Sequence, residues 1–179
     1  MKEVTEQGAY LQLAQLCARS EHCQHDLTEK MRRWGMSDEA QARVMERLVK
    51  ERYVDDERYA HAFVHDKIRY NKWGRRKVEQ ALWQKRVDDD IRQRVLDEVD
   101  DEEYLSVLRP LLKQKRREYG GTKVRRYGDT GVREYEGTKV REYEVNQKLV
   151  RFALSRGFTY DIIRQCLDVS EEDIDETEI

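Results

Sequence analysis

Helix breakers are scarce in this chain. Proline occurs once, at Pro110, and five of the nine glycines crowd between Gly120 and Gly137. With Glu, Lys, Arg, Leu and Ala abundant, that scarcity argues against a β-rich fold and for an all-α one. Cysteine occurs three times, an odd number at uneven spacing, which argues against a disulfide framework. No apolar run approaches the length of a membrane span, and the opening MKEVTEQGAY has no apolar signal segment. The expectation is a reduced, soluble, cytoplasmic protein without a membrane segment. A surplus of one charge is also missing. Lys and Arg number 35 against 37 for Asp and Glu, a net charge of −2. With 40% charged residues and 38% apolar ones, one large core is hard to build, and a thin helical array fits better.

The residues that are present repeat at two periods. The short one is an octad. GTKVRRYGDTGVREYEGTKVREYE, residues 121–144, places Val124, Val132 and Val140 eight apart, and likewise Tyr127, Tyr135 and Tyr143. Eight residues overshoot two helical turns by about 80°, so the valines spiral around a helix. Eight is even, so they share one face of a strand. The block reads as a flexible loop or a small β-hairpin ribbon. Tyr–Arg alternation can stack on bases, but the interspersed acids weaken any pull on phosphate.

The long period is about fifty residues. DLTEKMRRWGMSDEAQARVMERLV from Asp26, KVEQALWQKRVDDDIRQRVLDEVD from Lys77 and KLVRFALSRGFTYDIIRQCLDVSE from Lys148 align without gaps. Leu27, Val78 and Leu149 coincide; so do Met36, Val87 and Phe158, and Val44, Val95 and Cys166. Each window reads as a short amphipathic helix, a tight turn, an N-cap candidate (Ser37, Asp88, Thr159) and a second helix. A longer helix precedes each, near 6–20, 56–71 and 101–117. The windows start 51 and then 71 residues apart, and removing the 24-residue octad block leaves 47. The expected fold is all-α: three tandem three-helix repeats forming an elongated, curved array. The repeats span 1–54, 55–100 and 101–170, the third interrupted at 119–144, with an acidic tail at 171–179. Tyr59, Phe63, Leu82, Val95 and Leu96 are the expected stability positions.

Charge is polarised along the chain. Lys67, Arg69, Lys72, Arg75, Arg76, Lys77, Lys85 and Arg86 face a single acid, Glu79, whereas Asp88–Glu103 holds nine acids against Arg92 and Arg94. The basic run straddles Trp73-Gly74, with Tyr70 and Trp73 among the charges, as nucleic-acid sites often arrange. Arg32 and Arg33 sit at the equivalent turn of the first repeat, and Arg151 and Arg156 near that of the third. A basic stripe for DNA or a polymeric protein partner is the functional reading, and a solvated face with Trp73 packed under the turn is the plain one. Acidic residues from Asp168 onward are expected to solubilise the end or shield the stripe.

Other chemistry is sparse. Cys17, His22, Cys23 and His25 match no zinc spacing, so Cys17 is expected to pack in a helix and the other three to lie at the surface. Cys166 occupies a core position of its repeat. Asp55-Asp56 is expected to cap a helix rather than catalyse. No P-loop or nucleotide fingerprint occurs. No metal, no cofactor and no enzymatic activity are expected.

The run DDERYAHAFV at Asp55–Val64, followed by a basic stretch, a glycine and K-V-x-x-x-L, resembles the bacterial RecX family. So do RSE…L…KM at Arg19–Met31 and LSRGF at Leu154–Phe158. The resemblance covers the chain outside the octads and the tail. It implies a non-enzymatic regulator that lies in the groove of the RecA–DNA filament and impedes ATP hydrolysis, strand exchange and filament extension. It also implies a monomer whose partners are the RecA filament and, weakly or through the filament, DNA. A stand-alone helical DNA-binding protein and a protein-only adaptor are the alternatives.

Overall fold

A computed structural model describes residues 4–120 and 134–167, with side chains from Glu142 onward in the second stretch. The first octad and most of the second, 121–133, and the acidic tail 171–179 lie outside the described residues. Nine helices and no strand occur among the described residues. They are α1 Glu6–Cys17, α2 Gln24–Arg33, α3 Asp38–Lys50, α4 Asp56–Arg69, α5 Arg75–Gln84, α6 Asp89–Asp97, α7 Asp101–Gly120, α8 Glu134–Ser155 and α9 Tyr160–Cys166. Taken in threes along the chain, these helices reproduce the fifty-residue period. None of the described helices is long and apolar enough to cross a membrane.

Helix starts follow local chemistry. Thr5 accepts from the Gly8 N–H at 3.1 Å and Ser37 from Ala40 at 3.3 Å. Asp55 accepts from both Glu57 and Arg58 at 3.0 Å, filling donors that the first turn of α4 leaves unpaired. Asp88 and Thr159 occupy N-cap positions without a side-chain bond. Helix ends recur too. The second helix of each repeat closes with a four-residue and a six-residue backbone loop: Gly35 to Arg32 and Met36 to Met31, Arg86 to Trp83 and Val87 to Leu82, Gly157 to Leu154 and Phe158 to Ala153. This is the Schellman pattern, with a left-handed residue at its centre.

The third octad departs from the expected loop or ribbon. Gly137–Glu144 is helical, and α8 begins inside the second phrase. The valine spiral predicted a poor packing face; it did not predict a broken backbone. Lys, Arg and Glu are good helix formers, one glycine costs about 1 kcal/mol against alanine, and extending a helix already nucleated at 145–155 costs no new nucleus.

The chain divides into two compact bodies: residues 1–67 with 79–99, and residues 68–78 with 100 onward. In the first, α1 and α2 pack on α3 around Leu13, Leu27, Met31, Val44 and Leu48, all buried. Tyr10 closes this core, edge-on to Tyr53 at 6.3 Å and under the Arg47 guanidinium at 3.5 Å, with its hydroxyl donated to Glu51. In the second, α7 packs on α8 and α9 around Leu105, Leu108, Leu149, Phe158 and Ile163. The repeat-equivalent Leu27, Val78 and Leu149 are all fully buried. Tyr59, Leu82, Val95 and Leu96 are buried as expected, and Phe63 is half-buried. Cys166 is half-buried rather than a core residue.

Candidate nucleic-acid interface

The turn between α4 and α5 is built from two helix ends that complete one another. The Gly74 N–H donates to the Arg156 carbonyl at 2.8 Å, and the Arg76 N–H to Gly157 at 3.0 Å. The donors open α5 and the acceptors close α8, so each end fills groups the other leaves without an intrahelical partner, and opposite partial charges meet. The approach requires two glycines. A Cβ on Gly74 would stand 2.3 Å from the Phe158 nitrogen and 2.4 Å from the Gly157 carbonyl; one on Gly157 would stand 2.5 Å from the Lys77 nitrogen. Gly157 also has φ +85°. The sequence identified both residues as turn formers but carried no sign that the two turns touch.

Around this lock the second body gathers basic and aromatic groups. Arg156 donates to the Asn71 carbonyl at 3.0 Å, and its guanidinium lies 5.4 Å from the Phe152 ring. The Lys115 ammonium lies 5.4 Å from the same ring. The Lys77 ammonium sits 5.0 Å from the centre of the half-buried Trp73 ring. Lys72 takes φ +57° to reverse the chain after α4 and donates to the Arg69 carbonyl. Arg69 pairs with Glu103 at 3.2 Å. Arg75 is half-buried, Arg76 and Arg151 are exposed, and Tyr70 is 79% exposed. Lys115 was not singled out from the sequence, although the run Lys113, Lys115, Arg116 and Arg117 marks it.

The remaining candidates belong to the first body and are held differently. Lys85 donates to both carboxylate oxygens of Asp26, at 2.8 and 2.9 Å, tying the end of α5 to α2. Arg32 pairs with Glu29. The Lys67 ammonium lies 5.0 Å from the Phe63 ring. Arg33 and Arg86 are exposed.

The acidic run that opens the second repeat is consumed by structure. Asp55 caps α4. Asp56 reaches across to accept from the Gln24 N–H at 2.8 Å and its side-chain amide at 3.2 Å, capping α2 from a distance. Glu57 pairs with Arg94 at 2.9 Å. Arg58 pairs with Glu21 at 2.6 Å and donates to the Arg52 and Tyr53 carbonyls. Tyr59 is buried beside Cys23. Burial pushes the Cys23 thiol up to about 11, raises the Tyr59 phenol, and raises the Asp56 carboxyl against the opposing pull of Gln24. Cys23, expected at the surface, is fully buried. Its position before α2, rather than on a helix face, hid this from a periodicity argument.

Comparison with known proteins bears on this arrangement. Residues 55–96 match the family description "RecX, second three-helix domain", and residues 135–167 match "RecX, third three-helix domain". The second match begins at residue 135, inside the octad block, and so includes the third phrase. "Regulatory protein RecX" of Lactobacillus johnsonii is 36% identical over 81 residues, covering 45% of this chain and 30% of that protein. The Bacillus cytotoxicus protein of the same name is 23% identical over 171 residues, covering 96% of this chain and 57% of that protein. The chain thus spans about half the length, or less, of the curated relatives it matches. A crystal structure of RecX from Lactobacillus salivarius superposes with a TM-score of 0.70 at 17% identity, covering 91% of this chain and 94% of that one. A second solved structure, of regulatory protein RecX, also reaches 0.70, at 18% identity, covering 92% of this chain and 72% of that one. At such identities these two similarities speak for the fold.

Proposed function

We propose, from the premise that the chain belongs to the RecX family, that it regulates a RecA recombinase by binding the filament that RecA forms on DNA. In this reading it slows ATP hydrolysis, strand exchange and filament growth. The acting species is a monomer in the cytoplasm, reaching DNA directly or through the filament. The observation that carries the proposal is the basic and aromatic cluster of the second body. Arg75, Arg76, Lys77, Trp73 and Tyr70 flank a turn that two backbone hydrogen bonds anchor to the end of α8. Charges on such a fixed turn meet phosphates without first losing much chain entropy. The acidic stretch that follows, from Asp88 to Glu103, gives the chain a polarity that favours one orientation on a polarised partner.

The decisive measurement is the steady-state ATPase of RecA on single-stranded DNA, with and without this protein. The expected result is a lowered rate at stoichiometric amounts. An unchanged rate overturns the proposal and leaves a DNA-binding protein or a protein adaptor. Binding of an oligonucleotide without RecA then separates those two, because an adaptor shows none even at low salt.

A further inference from the structure

We infer that the first body carries a second docking surface, where α5 ends and α6 begins, which takes a protein segment offering a carboxylate next to an apolar or aromatic side chain. This rests on the proposed function, in which the protein partner is the recombinase filament.

Gly35, Arg86 and Gly157 hold the same place in the three repeats, at the centre of the loop that closes the second helix. Their φ angles are +75°, +54° and +85°. Glycine enters this left-handed region at no steric cost, whereas a residue with a Cβ is strained there. Arg86 is the one of the three that carries a Cβ, although Arg52 and Lys72, beyond α3 and α4, take similar angles of +60° and +57°. Attraction between a cation and the helix C-terminus does not account for the left-handed arginine, because that attraction does not require the basic residue to be the one at positive φ. Nor does a local partner, since the Arg86 guanidinium is exposed and makes no ion pair among the described residues. The strain by itself assigns no use to the side chain, and the surroundings decide it.

The surroundings fit one use. Arg86 and Asp88 stand on the shared edge of two clefts of the first body, of about 630 and about 300 Å³. The larger is walled by Trp83, Val87 and Arg92. Trp83 is 63% exposed and makes no ring contact among the described residues, whereas Trp34 and Trp73 are half-buried under lysines. Tryptophan and arginine are both enriched among the residues that carry most of the energy of protein interfaces, and here an exposed indole stands beside an uncommitted guanidinium. Asp88 and Asp89 line the same cleft, and Asp56 and Glu29 the smaller one. A polyphosphate, with several charges, meets more repulsion there than a single carboxylate, which the planar fork of Arg86 can pair with in bidentate fashion. Arg92 is not available for that role, being paired with Asp89.

The test uses Arg86→Gly and Trp83→Ala in the whole chain, titrated against RecA filaments on oligo(dT) and against bare oligo(dT). Arg86→Gly relieves the backbone, so its thermal midpoint is expected at or above that of the unaltered protein. Its affinity for the filament is nevertheless expected to fall about tenfold or more, as is that of Trp83→Ala, with affinity for bare oligo(dT) unchanged. Greater stability with weaker binding is a combination that a purely structural arginine does not produce. Filament binding equal to the unaltered protein in both variants overturns the inference while the proposed function stands. Equal losses on filament and bare oligo(dT) also overturn it, making the surface a nucleic-acid site. An unaltered protein that does not bind the filament overturns the proposed function, and the inference with it.

Discussion

Gly74 and Gly157 work at the scale of single atoms. The groups a Cβ would meet at either position are largely backbone, which cannot rotate away as a side-chain tip can. Gly74→Ala is expected to cost about 1–3 kcal/mol or more, and Gly157→Ala a similar amount plus the penalty of its positive φ. Gly35, also at positive φ, has open space around it, so Gly35→Ala should cost only about 1 kcal/mol. Urea titrations of the three variants check that order, and equal losses would show that crowding contributes nothing. Asp56 makes a different kind of prediction. Burial raises its folded pKa above the ordinary 3.8, so folding favours the protonated form. The stability it contributes is complete below the ordinary value and is lost as pH rises through the raised one. At neutral pH the charged carboxylate is therefore a cost, offset in part by its bonds to Gln24. Asp56→Asn keeps an acceptor for the Gln24 N–H, so stability at pH 7 should hold or rise, with no gain in the acid range. Asp56→Ala removes the cap and should cost about 1 kcal/mol. Urea midpoints from pH 3 to 8 distinguish these outcomes.

Among the helices, α8 is the one the octads bear on. Their period was legible, and so was the fifty-residue rhythm beneath them, but the boundary between the two was not. Helix propagation from the packed residues around Leu149 and Ala153 carries through a low-complexity phrase that has no stripe of its own. The Arg116 side chain also donates to Asn146 at 2.8 Å, joining α7 to α8 just beyond the third phrase. Deleting Gly121–Arg133 should therefore leave the helical content and the unfolding midpoint close to those of the full chain. Extending the deletion through Glu144 removes the first eleven residues of α8 and should lower both. Circular dichroism at 222 nm with thermal melts decides between them, and equal midpoints would mean that the third phrase adds no stability.

For the molecule as a whole, net charge said nothing and charge order said much. The bases between Lys67 and Arg86, contiguous in sequence, divide between the two bodies. In the second they crown the α5–α8 lock; in the first Lys85 is paired with Asp26, as Arg32, outside this stretch, is with Glu29. Binding to DNA should thus depend chiefly on the second-body set. Arg75→Gln and Arg76→Gln together should weaken oligonucleotide binding. The slope of log affinity against log salt should shrink by about 0.7 for each phosphate of a single strand that the variant no longer neutralises. Lys85→Gln should leave that slope unchanged. A slope unaltered by the two arginine changes would place their side chains away from phosphate.

Periodicity, capping residues and the near-absence of breakers determined the nine helices and their grouping in threes, because those features act over four to ten neighbouring residues. The acidic run at Asp55–Glu57 was equally plain in the sequence. That it serves as a joint was not, since Asp56 finds Gln24, 32 residues away, only after α2 and α4 have packed. The same holds for Gly74 against Gly157, Lys85 against Asp26, and the left-handed backbone at Arg86. Each depends on where a distant segment comes to rest, and a local pattern carries no record of a contact made across the fold.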